Sequence, residues 1–170
     1  KFDWRAAERR LNQFDQFTTT IDGLDIHFIH QRSKNPNAMP IAITHGWPGS
    51  IVEFTKIIPL LTDPAAHGGN ASDAFHVVAI SLPGFGFSGK PAERGYGPER
   101  MAGILAKLMA RLGYTRYGLQ GGDWGSSISR FAAINDASHV VGLHTNFCLA
   151  GPPPGAKDPN EGVTAAELER

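Results

Sequence analysis

The sharpest chemical feature of the sequence is the string Gly121-Gly122-Asp123-Trp124-Gly125. It reads small residue, any residue, nucleophile, any residue, small residue, between a strand-like and a helix-like segment. That is the form of a nucleophile elbow, with Asp123 in the place that Ser usually holds. A carboxylate is already ionised at neutral pH and needs no base to activate it. It can attack an electrophilic sp3 carbon and leave an alkyl ester on its own side chain. Water attacking the Asp carbonyl carbon then releases the product. So tight a turn calls for Gly121 and Gly125, because larger side chains would clash there. The competing structural reading makes Asp123 a plain helix N-cap after a glycine turn.

A second string, His45-Gly46-Trp47-Pro48-Gly49-Ser50, follows an apolar run. In folds built around an elbow, the loop at this place supplies one oxyanion-hole amide and the residue after the nucleophile supplies the other. The backbone N–H groups of Trp47 and Trp124 are therefore the candidates, each able to stabilise negative charge on the Asp123 carbonyl oxygen. Taken singly, these residues also fit an ordinary strand-end turn. A third string, PGFGFS at 83–88, is by itself a glycine-rich turn. It lacks the GxGxxG spacing of a dinucleotide site, and no P-loop is present.

The elements around these strings must hold them in place. Residues 40–44, 75–82, 117–120 and 139–146 read as short apolar strands, and the first three lead into the three strings. Residues 50–61 read as a helix, with Ser50 and Glu53 as a capping box and Phe54, Ile57, Ile58 and Leu61 at helical spacing. Pro59 conflicts with that and predicts a kink or an early stop. Residues 98–112 form the clearest helix, with Pro98 at its start, Gly113 at its exit, and Met101, Ile104, Leu105, Leu108 and Leu112 on one face. A further helix runs from the elbow to about 135. Ahead of these lie a helix over 4–14 (Trp4, Ala7, Leu11 and Phe14) and two strands, 17–21 and 24–29, joined at Asp22-Gly23 in a hairpin. Residues 32–39, 62–74 and 151–162 read as loops, and Thr164 with Glu167 caps a last helix. From residue 40 the order is β-α-β-α-β-α-β. This predicts an α/β fold with a mostly parallel sheet, covered on both faces, plus an antiparallel N-terminal hairpin.

Composition narrows the function. The 170 residues start at Lys1 and carry 16 Lys+Arg against 16 Asp+Glu, a net charge of zero that argues against a nucleic-acid or anionic-membrane surface. Apolar residues at 41% and charged residues at 19% suit a packed domain. No apolar run is long enough to span a bilayer, and no signal-peptide pattern opens the chain. The single Cys148 excludes an internal disulfide framework and a multi-thiolate metal site, and the seven His show no HExxH spacing.

HGWPGS, PGFGFS and GGDWG at these separations resemble the epoxide hydrolases of the α/β-hydrolase superfamily. Residues 4–33, WRAAERRLNQFDQFTTTIDGLDIHFIHQRS, look like the N-terminal segment of the microsomal-type branch, which precedes and wraps the core. The resemblance covers nearly the whole chain. It implies opening of an oxirane to a vicinal diol through an Asp–alkyl ester, with no cofactor and no metal. The implied partners are a small-molecule epoxide and water. It makes Asp123 the nucleophile, gives the oxyanion-hole amides to Trp47 and Trp124, lets His45 support the loop, and makes the Trp47-Pro48 bond cis. The rings of Trp47 and Trp124, with Phe85, become the substrate-binding residues. The chain divides into an N-terminal segment (1–33), the first part of the hydrolase core (34–150), and a linker with the start of a cap (151–170).

Members of that family also use a water-activating His with an acidic partner, and a pair of cap Tyr that protonate the oxirane oxygen. Only His139 and His144 follow Asp123, and both fall by the next strand, too early for the base. Tyr96, Tyr114 and Tyr117 all precede Asp123. The expectation is that the cap and the last core strands lie outside this chain, leaving a sheet edge exposed. Other residues have plain readings: His144 as a satisfied core or strand-end histidine, Cys148 as a buried small hydrophobe, His27 and His30 as hairpin positions, and Arg94, Glu99 and Arg100 as a solvated loop and helix start. The rival enzyme is a haloalkane dehalogenase, which shares the fold and the Asp-Trp elbow but typically has Asn where Trp47 stands, and lacks the N-terminal segment. A rival of another class is a non-catalytic binding module, favoured by the missing base, acid and cap. The lone cysteine fits a reducing cytoplasm, and the resemblance allows a membrane anchor upstream, as some members of the branch have.

Overall fold

The apolar runs ahead of the three strings become neighbouring strands, because each buries both faces only in the middle of a sheet. The structure, a computed structural model, describes residues 1–148, 151, 155, 157–158 and 160–168. Its strands are β1 (Gln16–Ile21), β2 (Leu24–Gln31), β3 (Met39–Thr44), β4 (Phe75–Ile80), β5 (Tyr117–Gly121) and β6 (Val140–Thr145). They form one sheet in the order β1-β2-β4-β3-β5-β6. β1 pairs antiparallel with β2, and β2 antiparallel with β4; the remaining pairs are parallel. The expected α/β architecture with an N-terminal antiparallel hairpin is what forms.

The hairpin turns at Asp22 and Gly23, both at positive φ (51° and 78°), as a tight two-residue connection between right-twisted strands requires. The helices are α1 (Trp4–Leu11), α2 (Ile57–Thr62), α3 (Pro98–Arg111), α4 (Trp124–Asn135) and α5 (Ala165–Leu168). Alternation along the strands feeds two cores. On one face Ala42, Val78, Ile80 and Leu119 meet Ile104, Leu105 and Leu108 of α3 and Ile128 of α4. On the other Ile43, Val77 and Ala79 meet Ile51, Phe54 and Ile58. Each fully buried Ile or Leu there contributes about 1.5–3 kcal/mol of transfer free energy. α3 also grips the hairpin: Lys107 Nζ lies 2.6 Å from Asp22 Oδ2, and Arg111 donates to the Thr20 carbonyl at 2.6 Å.

Several expectations need correction. The helix over 4–14 stops at Leu11, and Trp4 is 65% exposed, while Phe14 beyond the helix end packs on the core. The helix over 50–61 is split into a 3-10 turn, Ile51–Phe54, and α2. A continuous helix would put Pro59 in its interior against the Thr55 carbonyl; restarting at Ile57 moves it into the first turn, where no N–H is needed. Only half of the first capping box forms, with Ser50 Oγ accepting from the Val52 N–H. In the second, the Glu167 carboxylate accepts from both the Thr164 N–H and its hydroxyl. β6 is not covered on both faces. It is the outer strand among the described residues, and Val141 and Leu143 are exposed. His144 and Cys148 are exposed as well, not buried, because they lie on or just past that outer strand. The loop expected over 151–162 falls partly outside the described residues.

Candidate active site

Parallel pairing of β3 with β5 sets Thr44 opposite Gly121, so the two strands end side by side. The segments that leave them, 45–50 and 122–125, therefore start in contact. Asp123 sits between β5 and α4 at φ 53°, ψ −128°, a left-handed backbone that side-chain-bearing residues seldom adopt. Such positions persist only where the surroundings enforce them. Here the enforcement is steric. A Cβ on Gly121 would collide with the Gly125 carbonyl, and a Cβ on Gly125 with the carbonyls of Thr44 and His45. A Cβ on Gly46 would collide with the Asp123 side chain itself.

Apart from the Trp124 amide, the Asp123 side chain makes no capping bond into α4. It reaches across to the 45–50 loop, where the Trp47 N–H donates to Oδ1 at 2.8 Å. The Trp47 and Trp124 amides together hold the carboxyl below its ordinary range. The Trp47-Pro48 peptide is cis.

His45 is buried, and both its ring nitrogens are committed. Nε2 accepts from the Leu82 N–H at 3.1 Å, so Nδ1 carries the proton and lies 3.0 Å from the Gly46 carbonyl. Burial pushes its pKa down, opposed by the Gly46 carbonyl and by Glu53. A neutral ring is the form that both bonds need.

Beside Asp123 lies an apolar cavity of about 190 Å³, lined chiefly by Trp47, Leu82, Phe85, Tyr96, Met101 and Trp124. The three expected rings are brought together there. Sequence reasoning missed Tyr96, and it placed Met101 only on a helix face. No local signal marks either residue for a pocket; the packing of the α3 N-terminus beside the elbow puts them there. Arg100 is not simply solvated. Its guanidinium lies 3.8 Å from the Tyr96 ring centre and pairs with Glu93 at 2.6 Å, holding the ring against the cavity. The remaining histidines lie elsewhere. His139 pairs with Asp136 at 2.6 Å, His27 and His30 are buried on β2, and His144 is exposed on β6.

Known proteins show the same arrangement of segments. Residues 1–54 match the family described as epoxide hydrolase N terminus, and residues 40–146 match the α/β-hydrolase fold family. A Stigmatella aurantiaca protein with a provisional epoxide hydrolase name is 55% identical over 89% of this chain and 34% of its own. Epoxide hydrolase 1 of Sus scrofa is 48% identical over 87% of this chain and 34% of its own. The solved Aspergillus niger epoxide hydrolase superposes with a TM-score of 0.79 at 41% identity, over 99% of this chain and 43% of that one. The chain thus spans about a third of the length of the curated relatives it matches.

Proposed function

This chain belongs to the α/β-hydrolase family, and from that premise we propose that it carries the ester-forming part of an epoxide hydrolase site. The observation that supports this best is the Asp123 carboxylate seated on the Trp47 amide beside an apolar cavity. Oδ1 is held by the Trp47 N–H, which leaves Oδ2 as the attacking oxygen. Oδ2 bonds to an oxirane carbon, that carbon's C–O bond breaks, and the ring oxygen leaves with the electron pair and takes a proton. The product of the step is an alkyl ester on Asp123. Water then adds to the ester carbonyl carbon. The negative charge that builds on Oδ1 meets the Trp47 amide already in place, with the Trp124 amide as the second donor of this reading. Collapse breaks the bond between the acyl carbon and the alkyl oxygen, and yields the vicinal diol and the free carboxylate.

In this reading His45 holds the loop and takes no proton from water, because both its nitrogens are occupied. The water-activating base and the group that protonates the oxirane oxygen are not assigned to any described residue. The substrate class is a small apolar epoxide, matched to a cavity whose walls are mostly hydrocarbon.

The test is a single turnover of the purified protein with phenyloxirane in 18O water. Peptide mapping should show a transient adduct on Asp123, followed by 18O in its carboxylate. Asp123→Ala should abolish both. Diol formation with 18O going only into the diol would mean direct attack by water, and the ester mechanism would be wrong.

A further inference from the structure

From PGFGFS only Phe85 enters the cavity above, and His27 sits on a hairpin strand outside it, yet His27 is hydrogen-bonded to Ser88 of that string. His27 is 5% exposed and has all its polar atoms engaged. Its Nε2 faces Gln16 Oε1 at 3.0 Å, and that amide is oriented by its own nitrogen donating to the Leu11 carbonyl at 2.9 Å. An amide oxygen can only accept, so Nε2 carries the ring proton and Nδ1 is left as an acceptor. The Ser81 hydroxyl, 2.9 Å away, donates to it. Three further bonds lock the same pair. The Ser81 N–H donates to the His27 carbonyl at 2.9 Å, the His27 N–H donates to Ser88 Oγ at 2.9 Å, and Ser88 Oγ donates to the Ser81 carbonyl at 2.6 Å.

Ser81 is fully buried, and the next residue, Leu82, supplies the N–H that fixes His45. His45 in turn donates to the Gly46 carbonyl, which belongs to the same peptide group as the Trp47 N–H on Asp123. We propose that His27 is a positioning residue for the oxyanion loop. By holding Ser81 it sets the peptide that joins Ser81 to Leu82; that peptide sets the His45 ring, and the ring sets the Trp47 N–H. The bonds from Ser81 to His27, from Leu82 to His45 and from His45 to Gly46 are buried, so displacement passes along them instead of being absorbed by water. The kinetic consequence rests on the hydrolytic reading above; the geometric one does not.

Three variants test it. His27→Ala removes the acceptor for Ser81, and His27→Gln keeps a polar group toward Gln16 but offers Ser81 nothing. His27→Asn places an amide oxygen near the Nδ1 position. The readouts are the Trp47 backbone amide shift by 15N NMR as Asp123 is titrated, and steady-state kinetics with phenyloxirane. His27→Ala and His27→Gln should halve the Trp47 titration shift and lower kcat about tenfold with KM little changed, the pattern of a misplaced transition-state contact. His27→Asn should restore both. An unchanged Trp47 titration in folded His27→Ala overturns the proposal, as does a kcat loss that His27→Asn does not restore. If His27→Ala does not fold, Ser81→Ala breaks the same link and is judged by the same two measures. If the wild-type protein shows neither turnover nor an Asp123 adduct, the hydrolytic reading falls alone, and the Trp47 amide decides the role of His27.

Discussion

The Trp47 amide and the Asp123 carboxylate meet at 2.8 Å although 76 positions separate them in the chain. The contact is possible because residue 46 has no side chain, and because β3 and β5 end in register.

Two glycine substitutions should separate the site from the scaffold. Gly46→Ala puts a methyl group into the Asp123 side chain. It should cut the rate of Asp123 alkylation by about 100-fold, the cost of displacing a reacting group by the order of an ångström. The thermal melt should move little. Gly125→Ala instead drives a methyl group into the backbone carbonyls of Thr44 and His45. Its cost should appear as stability, about 2–3 kcal/mol in denaturant melts, as for overpacking elsewhere in protein interiors.

The pH dependence of alkylation follows from the Asp123 carboxyl. The Trp47 and Trp124 amides lower its pKa below the ordinary 3.8, so the charged form is favoured in the folded protein. A depressed carboxyl keeps its hydrogen bonds above its unfolded value and loses them as pH falls through the folded one. The rate of phenyloxirane labelling, followed by intact mass, should therefore stay level from neutral pH down to about 4. A rate that halves near pH 6 would mean that another group controls the step.

His30 predicts acid sensitivity of the fold. Burial, then the nearby Arg32 and His76 charges, push its pKa down to about 4, with Asp15 opposing, while Nε2 stays bonded to the Tyr114 hydroxyl at 2.7 Å. Between that value and the ordinary 6.5 the unfolded chain binds a proton that the folded one refuses. Stability is therefore full above 6.5 and falls as pH drops toward 4, by on the order of 2 kcal/mol after allowance for solvent screening. His27, also lowered by burial, adds loss of the same sign. Urea melts across this range should show the slope. His30→Gln, which keeps a polar group toward Tyr114, should flatten part of it.

Tyr96 should tune the pocket. Its ring forms a wall of the cavity and is held by the Arg100 guanidinium 3.8 Å away. Tyr96→Ala should lower kcat/KM for phenyloxirane about tenfold, the scale set by loss of one apolar wall, with a smaller effect on methyloxirane. Tyr96→Phe keeps the ring and should stay within about twofold of wild type for both. Equal losses for the two epoxides on Tyr96→Ala would place the ring outside the substrate's reach.

The strand–turn–helix around Asp123, the Asp22-Gly23 hairpin and the order of elements from residue 40 are all legible in the sequence. Each depends on neighbours in the chain: a glycine where backbones touch, a positive φ in a two-residue turn, a period of 2 or 3.6. The break before Pro59 was half legible. The proline announces a fault, but only the demand for its missing N–H to fall in a first turn sets where the helix restarts. Trp4 and Cys148 misled, because an apolar or small residue does not say whether anything will cover it. The wall at Tyr96 and the bonds from His27 through Ser81 to His45 were not legible at all. They join residues tens of positions apart, and such pairs come into existence only when the sheet brings strand ends together and excludes water between them. The residue types and backbone conformations that a site requires are written locally; which side chain holds which is decided by tertiary packing.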